Sequence, residues 1–383
     1  MIPIREIFER TSVLRIIVWA ILCFLLISTW GKNWIKDSPK PYSANEPMGT
    51  QLGDPRIVRR DLTRQGNEIL IAWVTDSSPT ILRLKPGGSI EDIDRVGFIQ
   101  DEIIKKMPQL EGQPLRFAMY MQVFGPKALD KYYETQHALT LKPDLLIYSV
   151  NPTFDFTSWS MLGELQAPGA LERFSNNHTE KWTFLFASPA QVVQSRLSKW
   201  LPFLEKRYVL GQRMERYRSK LDPFKFRLAP KTPQNQWEML ILRGQFTNTL
   251  PSFTPGITPA SQMRQLLAMR LMDLKKEAWG KQILRTLVED IRKAGIPALI
   301  YTIPVNLKAI EADPKVLENF KEFEAWFVDF AAANSGNGIT IIPQTPSRFL
   351  KGLSFYDISH LTEPAPFIDF MTREIAKDVQ LRH

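Results

Sequence analysis

Near its C-terminus the chain carries Asp357 and His360 in the run SFYDISHLT; His360 is one of only four histidines among 383 residues. An aspartate three residues before a histidine has two uses. Asp357 can cap a short helix and leave His360 at the surface, or it can fix the tautomer of the imidazole and stabilise the cation that forms when the ring takes a proton. The second use needs a nucleophile elsewhere in the chain. A serine hydroxyl becomes one when an imidazole removes its proton. The tetrahedral intermediate then needs donors for its oxyanion: backbone N–H groups at a tight turn and an amide side chain. Ser77 in TDSSPT, Gly125 in VFGP and Asn151 in SVNP supply those types, and acyl transfer through them calls for no metal and no cofactor. Plainer readings stand beside each. Ser78 is one residue from Ser77 and of the same type, Gly125 serves as a turn glycine, and Asn151 before Pro152 suits a turn that satisfies its own backbone. The other histidines are weaker bases: His137 lies within a predicted helix, His178 in the polar loop SNNHTE, and His383 is the last residue.

Chemistry spread over residues 77 to 360 requires elements that bring it together. Five short apolar runs recur, at 68–75, 115–123, 144–150, 296–305 and 338–343. Helical patterns separate them. Ser89 with Asp92 reads as a capping box starting a helix through about Met107, and Leu129, Tyr132, Tyr133 and Leu139 mark a second helix. Ile283, Leu284, Leu287 and Ile291 mark another that stops at Gly295. Asp313 and Pro314 read as a cap and first turn. Val316, Phe320, Phe323, Phe327 and Phe330 follow at helical spacing and read as a core face. Strands that are continuously apolar, alternating with helices, predict an α/β fold with a doubly wound parallel sheet of five strands. Ligands bind beyond the carboxyl ends of such strands. Ser77, Gly125 and Asn151 stand just after the first three strands, and Asp357 and His360 lie beyond the fifth.

The net charge of +9 comes without any Lys/Arg run, and Asp and Glu are interspersed throughout, so a nucleic-acid partner is excluded as the basis of function. With one cysteine, Cys23, no intramolecular disulfide and no multi-cysteine metal site can form. Residues 13–30, VLRIIVWAILCFLLISTW, are almost wholly apolar. At about 1.5 Å per residue they just cross a hydrocarbon core of about 30 Å. Trp30 and Trp34 sit where interfacial aromatics lie, and Arg5, Arg10 and Arg15 favour an inside N-terminus. STWGKNW lacks a small-x-small cleavage site, which favours a retained anchor over a cleaved signal peptide. The predicted organisation is a cytoplasmic N-terminus (1–12), a transmembrane anchor (13–30), a polar linker (31–64) and a catalytic domain (65–383) on the outer side of the cytoplasmic membrane, carrying a long insertion at about 155–260.

The order Ser, Gly, Asn, Asp-x-x-His on such a sheet resembles the SGNH (GDSL-type) hydrolase superfamily. The blocks stand here as Thr75-Asp76-Ser77, Phe124-Gly125-Pro126, Ser149-Val150-Asn151-Pro152 and Asp357-Ile358-Ser359-His360. The resemblance implies a flavodoxin-like three-layer sandwich. It implies Ser77 as nucleophile, Gly125 and Asn151 as oxyanion donors, and Asp357 and His360 as acid and base. Two blocks depart from the pattern: Thr75 stands for the usual glycine before Asp-Ser, and Ser149 and Pro152 stand in the usual Gly-x-Asn-Asp. They point away from simple secreted esterases toward the membrane-anchored envelope branch, similar to the D-alanyl transfer protein of teichoic-acid modification and the alginate O-acetylation proteins. That branch implies a membrane-bound O-acyltransferase as partner, and an acylated polysaccharide or a small acyl donor as substrate. The departures also admit a catalytically silent scaffold that binds glycan or assembles an envelope complex.

Overall fold

The computed structural model describes residues 64, 66–88, 92–122, 128–157, 250, 252–254, 257–275 and 278–380, the backbone of 57–60, and five residues near the N-terminus, Val18, Trp19, Leu22, Cys23 and Leu26. The chain divides into two compact units: Lys40–Ala167 with Pro223–His383, and Met1–Pro39 with Pro168–Asp222. Apart from those five, every described residue belongs to the first.

That unit is mixed α/β and built on a largely parallel sheet. Its strands are β1 (Ile57–Arg60), β2 (Ile69–Thr75), β6 (Gln113–Gln122), β7 (Leu145–Val150), β8 (Ala298–Thr302) and β9 (Ile339–Ile342), lying side by side in the order β1-β6-β2-β7-β8-β9. The five expected strands run parallel, and β1 is antiparallel on the β6 edge, Ile57 opposite Gln122. Every residue of β2, β7 and β8 is buried. The edge strand β9 alternates buried with half-buried positions, as pairing on one side only allows.

Helices lie against both faces. Lys131 of α2 (Ala128–Thr140) places its Nζ 5.2 Å from the ring centre of Tyr148 in β7. On the opposite face, Trp73 of β2 and Tyr301 of β8 are in ring contact, and Tyr301 meets Phe367 of α7 (Ala365–Gln380). Between these two helices come α3 (Ala260–Arg270), α4 (Trp279–Ala294), α5 (Leu307–Glu311) and α6 (Pro314–Asn334). Helix α4 ends where Gly295 takes a φ of 65°, a left-handed conformation that favours glycine. In α6, Asp313 Oδ1 accepts the N–H groups of Lys315 and Val316, each at 3.1 Å. Its phenylalanine face is buried, as the spacing requires.

Three expectations are corrected. Residues 57–60, read as linker within 31–64, form β1; four residues with two arginines carry too short an apolar run to signal a strand. The helix expected from Ser89 begins only at Ile99, as α1 (Ile99–Lys106). Residues 93–98 are instead β4 (Ile93–Phe98), paired antiparallel with β3 (Thr80–Leu84). Ser89 is outside the described residues, but Lys85 N donates to Asp92 O at 2.9 Å and Gly87 has a φ of 70°, so the chain turns a hairpin through Pro86-Gly87-Gly88 where the Ser89–Asp92 capping box was expected. Lastly, the sheet carries β1 beyond the five parallel strands, with the two-residue β5 (Gln109–Leu110) folded back on β6. Most of the expected anchor (13–30) and of the insertion (155–260) falls outside the described residues. Among those that are described, no helix is long and apolar enough to cross a membrane.

Candidate active site

The site begins where β2 runs out. Thr75 is its last residue, and the chain turns so that Thr80 N donates to Ser77 O at 3.0 Å, leading directly into β3. Asp76 is buried, and its Oδ1 accepts from Ser78 N at 2.7 Å. The two serines of the turn are thereby distinguished. Ser78 is buried and its N–H is committed to Asp76, whereas Ser77 is half-buried and faces His360.

His360 arrives from the far end of the chain. Two short strands, β10 (Ser354–Phe355) and β11 (Leu361–Glu363), pair antiparallel, and Asp357 to His360 occupy the loop between them. This hairpin packs through β11 against β3, the strand that leaves the Ser77 turn. Its tip is pinned where Asn306 N donates to Ile358 O at 2.8 Å, with Ile358 fully buried. Asp357 caps no helix, because residues 356–360 are a loop between two short strands, but it braces that loop and faces the imidazole. Its Oδ1 accepts from Ser359 N at 3.0 Å and His360 N at 2.9 Å, holding the loop, and its two oxygens lie 2.8 and 3.0 Å from His360 Nδ1. A carboxylate only accepts, so Nδ1 carries the proton and Nε2 presents a lone pair. That Nε2 is 2.9 Å from Ser77 Oγ, across 283 residues of sequence. Burial alone would push the Asp357 carboxyl up. The His360 charge and ring hydrogen bond, with help from the Ser261 hydroxyl and the His360 N–H, outweigh it and hold the group down at about 2.

Asn151 follows β7 directly, and β7 is the parallel neighbour of β2. Both turns therefore leave the same end of the sheet, where the side chains of Asn151 and Asp76 meet. Asn151 Nδ2 donates to Asp76 Oδ2, while its Oδ1 accepts from Thr153 N at 2.8 Å and from the Thr153 hydroxyl. These partners orient the amide without ambiguity, because a carboxylate must face the NH2 group and an N–H must face the oxygen. One Nδ2 hydrogen is taken by Asp76; among the described residues no acceptor takes the other. Asn151 is thus both a turn residue and a candidate donor. Gly125 lies outside the described residues.

Sequence reasoning missed two charged groups beneath Asn151. Lys131, fully buried in α2, donates to Ser149 O at 2.7 Å and to Asp155 Oδ2 at 2.5 Å. Asp155 Oδ2 also accepts Asn151 N at 2.8 Å. Burial drives the Asp155 carboxyl upward, and Lys131 and the Asn151 N–H pull it partly back, leaving it at about 6. A signal existed: Lys131 shares a face with Ala128, Tyr132 and Thr135, at three- and four-residue spacings, and a lysine on a core-facing stripe demands a buried partner. Among the described residues no group of three or more His, Cys, Asp and Glu side chains is placed to hold a metal ion. No protein-family model matches the chain, and no curated protein matches it in sequence.

Proposed function

We propose that this chain is a membrane-anchored serine acyl-esterase or O-acyltransferase of SGNH type, acting on O-linked acyl groups, most simply acetyl, of a cell-envelope polysaccharide. One observation carries the chemistry: Ser77 Oγ, the His360 ring and the Asp357 carboxylate stand in line at hydrogen-bond distances of 2.9 and 2.8 Å. In this reading His360 Nε2 takes the Ser77 proton as Oγ attacks the acyl carbonyl carbon. The oxyanion is met by the second Nδ2 hydrogen of Asn151, the one not given to Asp76, and by backbone N–H groups, that of Gly125 included. As the intermediate collapses, the ester C–O bond breaks and the departing alkoxide receives the proton from His360, leaving an acyl-serine. A sugar hydroxyl or water then attacks, gives its proton to His360, and releases Ser77 Oγ to take that proton back.

The order of the parallel strands (the second, first, third, fourth and fifth in sequence) supports a flavodoxin-like three-layer sandwich. The apolar run 13–30 and the resemblance to the envelope branch support an anchored enzyme beside a membrane-bound O-acyltransferase. The rival reading, a silent scaffold, draws on the capture of one Asn151 N–H by Asp76. Wild type and Ser77→Ala are compared on a chromogenic acetyl ester and with a fluorophosphonate probe. Stoichiometric labelling at Ser77, with activity reduced at least about 10³-fold in Ser77→Ala, is expected. Full activity in Ser77→Ala would overturn the nucleophile, and an unlabelled wild type would favour the scaffold.

A further inference from the structure

Lys131 and Asp155 are an expensive feature. Neither side chain is more than 2% exposed. Taking two such charges out of water costs several kcal/mol per ion before their attraction is counted, and buried pairs often add nothing to stability over apolar residues of the same size. The contacts are also lopsided. Asp155 Oδ2 accepts both Lys131 Nζ and Asn151 N, while Asp155 Oδ1 is buried with no hydrogen-bond partner among the described residues. A pair serving only to tie α2 to the sheet would gain most by engaging both oxygens. Here the used oxygen is the one that reaches the backbone of Asn151. Lys131 spends a second hydrogen on Ser149 O, two residues earlier on the same strand end. Two contacts therefore land on residues 149 and 151, one from a helix and one from the turn that follows β7.

The turn bearing Asp155 is itself braced. Asp155 N donates to Asn151 O at 3.0 Å, Thr157 Oγ1 to Thr153 O at 2.9 Å, and Trp279 Nε1 to Thr157 O at 3.1 Å. Asp273 N donates to Phe156 O at 2.8 Å, and Thr157 bridges Met272, so the chain returning from the 158–249 segment closes on this turn. Phe156 packs against Phe323 and Trp326 of α6.

We propose that Lys131 and Asp155 are positioning residues that hold the Asn151 backbone so that its amide keeps one hydrogen aimed at a developing oxyanion. The inference rests on the acyl-transfer reading and deepens it. Loss of an oxyanion donor costs about 10²–10³ in kcat, and loss of a group that only orients the donor costs about 10–100. The test compares wild type with two double variants in the full chain, reading thermal unfolding, the split between kcat and KM on a chromogenic acetyl ester, and fluorophosphonate labelling at Ser77. Lys131→Met with Asp155→Leu removes both charges and leaves Asn151 N–H without an acceptor. It is expected to fold, keep KM within about threefold and lose kcat by about 10–100-fold. Lys131→Met with Asp155→Asn keeps an acceptor oxygen and is expected to recover most of that loss. A folded Met/Leu variant within about twofold of wild-type kcat would refute positioning, as would equal kcat in the two variants. Hydrogen exchange at the Asn151 amide in the wild type decides the matter if the Met/Leu chain does not fold: protection like that of β7 amides is expected, and exchange at loop rates overturns the proposal. Wild-type Ser77 that takes no probe would instead defeat the acyl-transfer reading, while the amide exchange still judges the anchoring.

Discussion

Replacing Asp357 by Asn tests the relay at one atom. Asp357 Oδ1 must remain an acceptor, because Ser359 N and His360 N both donate to it at 3.0 and 2.9 Å. In the variant that oxygen is the amide carbonyl, so the NH2 group takes the place of Oδ2, 2.8 Å from His360 Nδ1. The nearer contact then sets two donors face to face, which favours the tautomer protonated at Nε2 over one whose Nδ1–H keeps only the 3.0 Å contact to Oδ1. Nε2 then donates toward Ser77 Oγ and no longer accepts from it, and the base is lost with the geometry intact. A wrong tautomer of this kind lowers kcat by about 10³–10⁴, or about 4–5.5 kcal/mol of transition-state stabilisation. The effect on folding is smaller. A carboxyl held at about 2, against about 3.8 unfolded, contributes roughly 2 kcal/mol, present above the unfolded value and lost as pH falls through about 2. Removing it lowers Tm by about 4–8 °C in a domain of this size. The assay is acetyl-ester hydrolysis at about 25 °C, with circular dichroism of the same samples. Retention of more than about a tenth of wild-type kcat by a folded Asp357→Asn protein would refute the assignment of His360 as a base oriented by Asp357.

Two further predictions concern the support beneath Asn151. At Gly280 in α4 a Cβ would come within 2.5 Å of the Asp155 carbonyl oxygen and 3.1 Å of the Phe156 ring. Gly280→Ala must push the helix off the turn, so a loss of about 1–3 kcal/mol in denaturant unfolding is expected, with a fall in kcat larger than any rise in KM. The second is a pH effect of opposite sign to that of Asp357. Asp155 folds with its carboxyl raised to about 6 from 3.8, so its contribution is complete below about 3.8 and disappears as pH rises through about 6, a swing of up to about 3 kcal/mol. Melting temperatures taken between about pH 7.5 and pH 4.5 are expected to rise on acidification more steeply in wild type than in the Lys131→Met, Asp155→Leu protein, and parallel slopes would contradict the origin assigned to them.

The parallel strands were legible because burial on both faces leaves little room for polar residues: ILIAWVT, LLIYSV and ALIYT are apolar but for one Ser or Thr each, at or next to the strand's C-terminal end. The Asp313 cap, the phenylalanine face of α6 and the stop at Gly295 were legible for equally local reasons. What escaped was set by tertiary contact. The strand β1 owes its existence to an open edge of β6, and no pattern within Ile-Val-Arg-Arg announces that edge. The β3–β4 hairpin competed with a plausible helix start, and the Pro-Gly-Gly turn won because it let both flanks pair. Within the site, Ser77, Asp357 and His360 could be chosen by chemical type and order. Lys131 offered only the hint of a lysine on a core-facing stripe, and its partner Asp155 is unremarkable until α2 and the end of β7 are seen to share one buried volume.

The same geometry changes how the departures from the SGNH pattern are weighed. Thr75 and Ser149 each stand where the resembling blocks carry glycine, and counted separately they are two marks against an active site. They are neighbours across β2 and β7, and Ser149 Oγ donates to Thr75 Oγ1 at 2.8 Å, both residues fully buried. A hydroxyl added alone at either position would be a buried polar group in need of a partner; added together, the Ser149 O–H finds its acceptor in the Thr75 oxygen. The two departures are therefore one physical change. It sits on the strand ends just before Asp76 and Asn151, leaving the contacts of Asp76 with Ser78 and Asn151 in place. The two glycine replacements therefore give no reason of their own to expect a silent site, and Pro152 is left as the departure that bears on the scaffold reading.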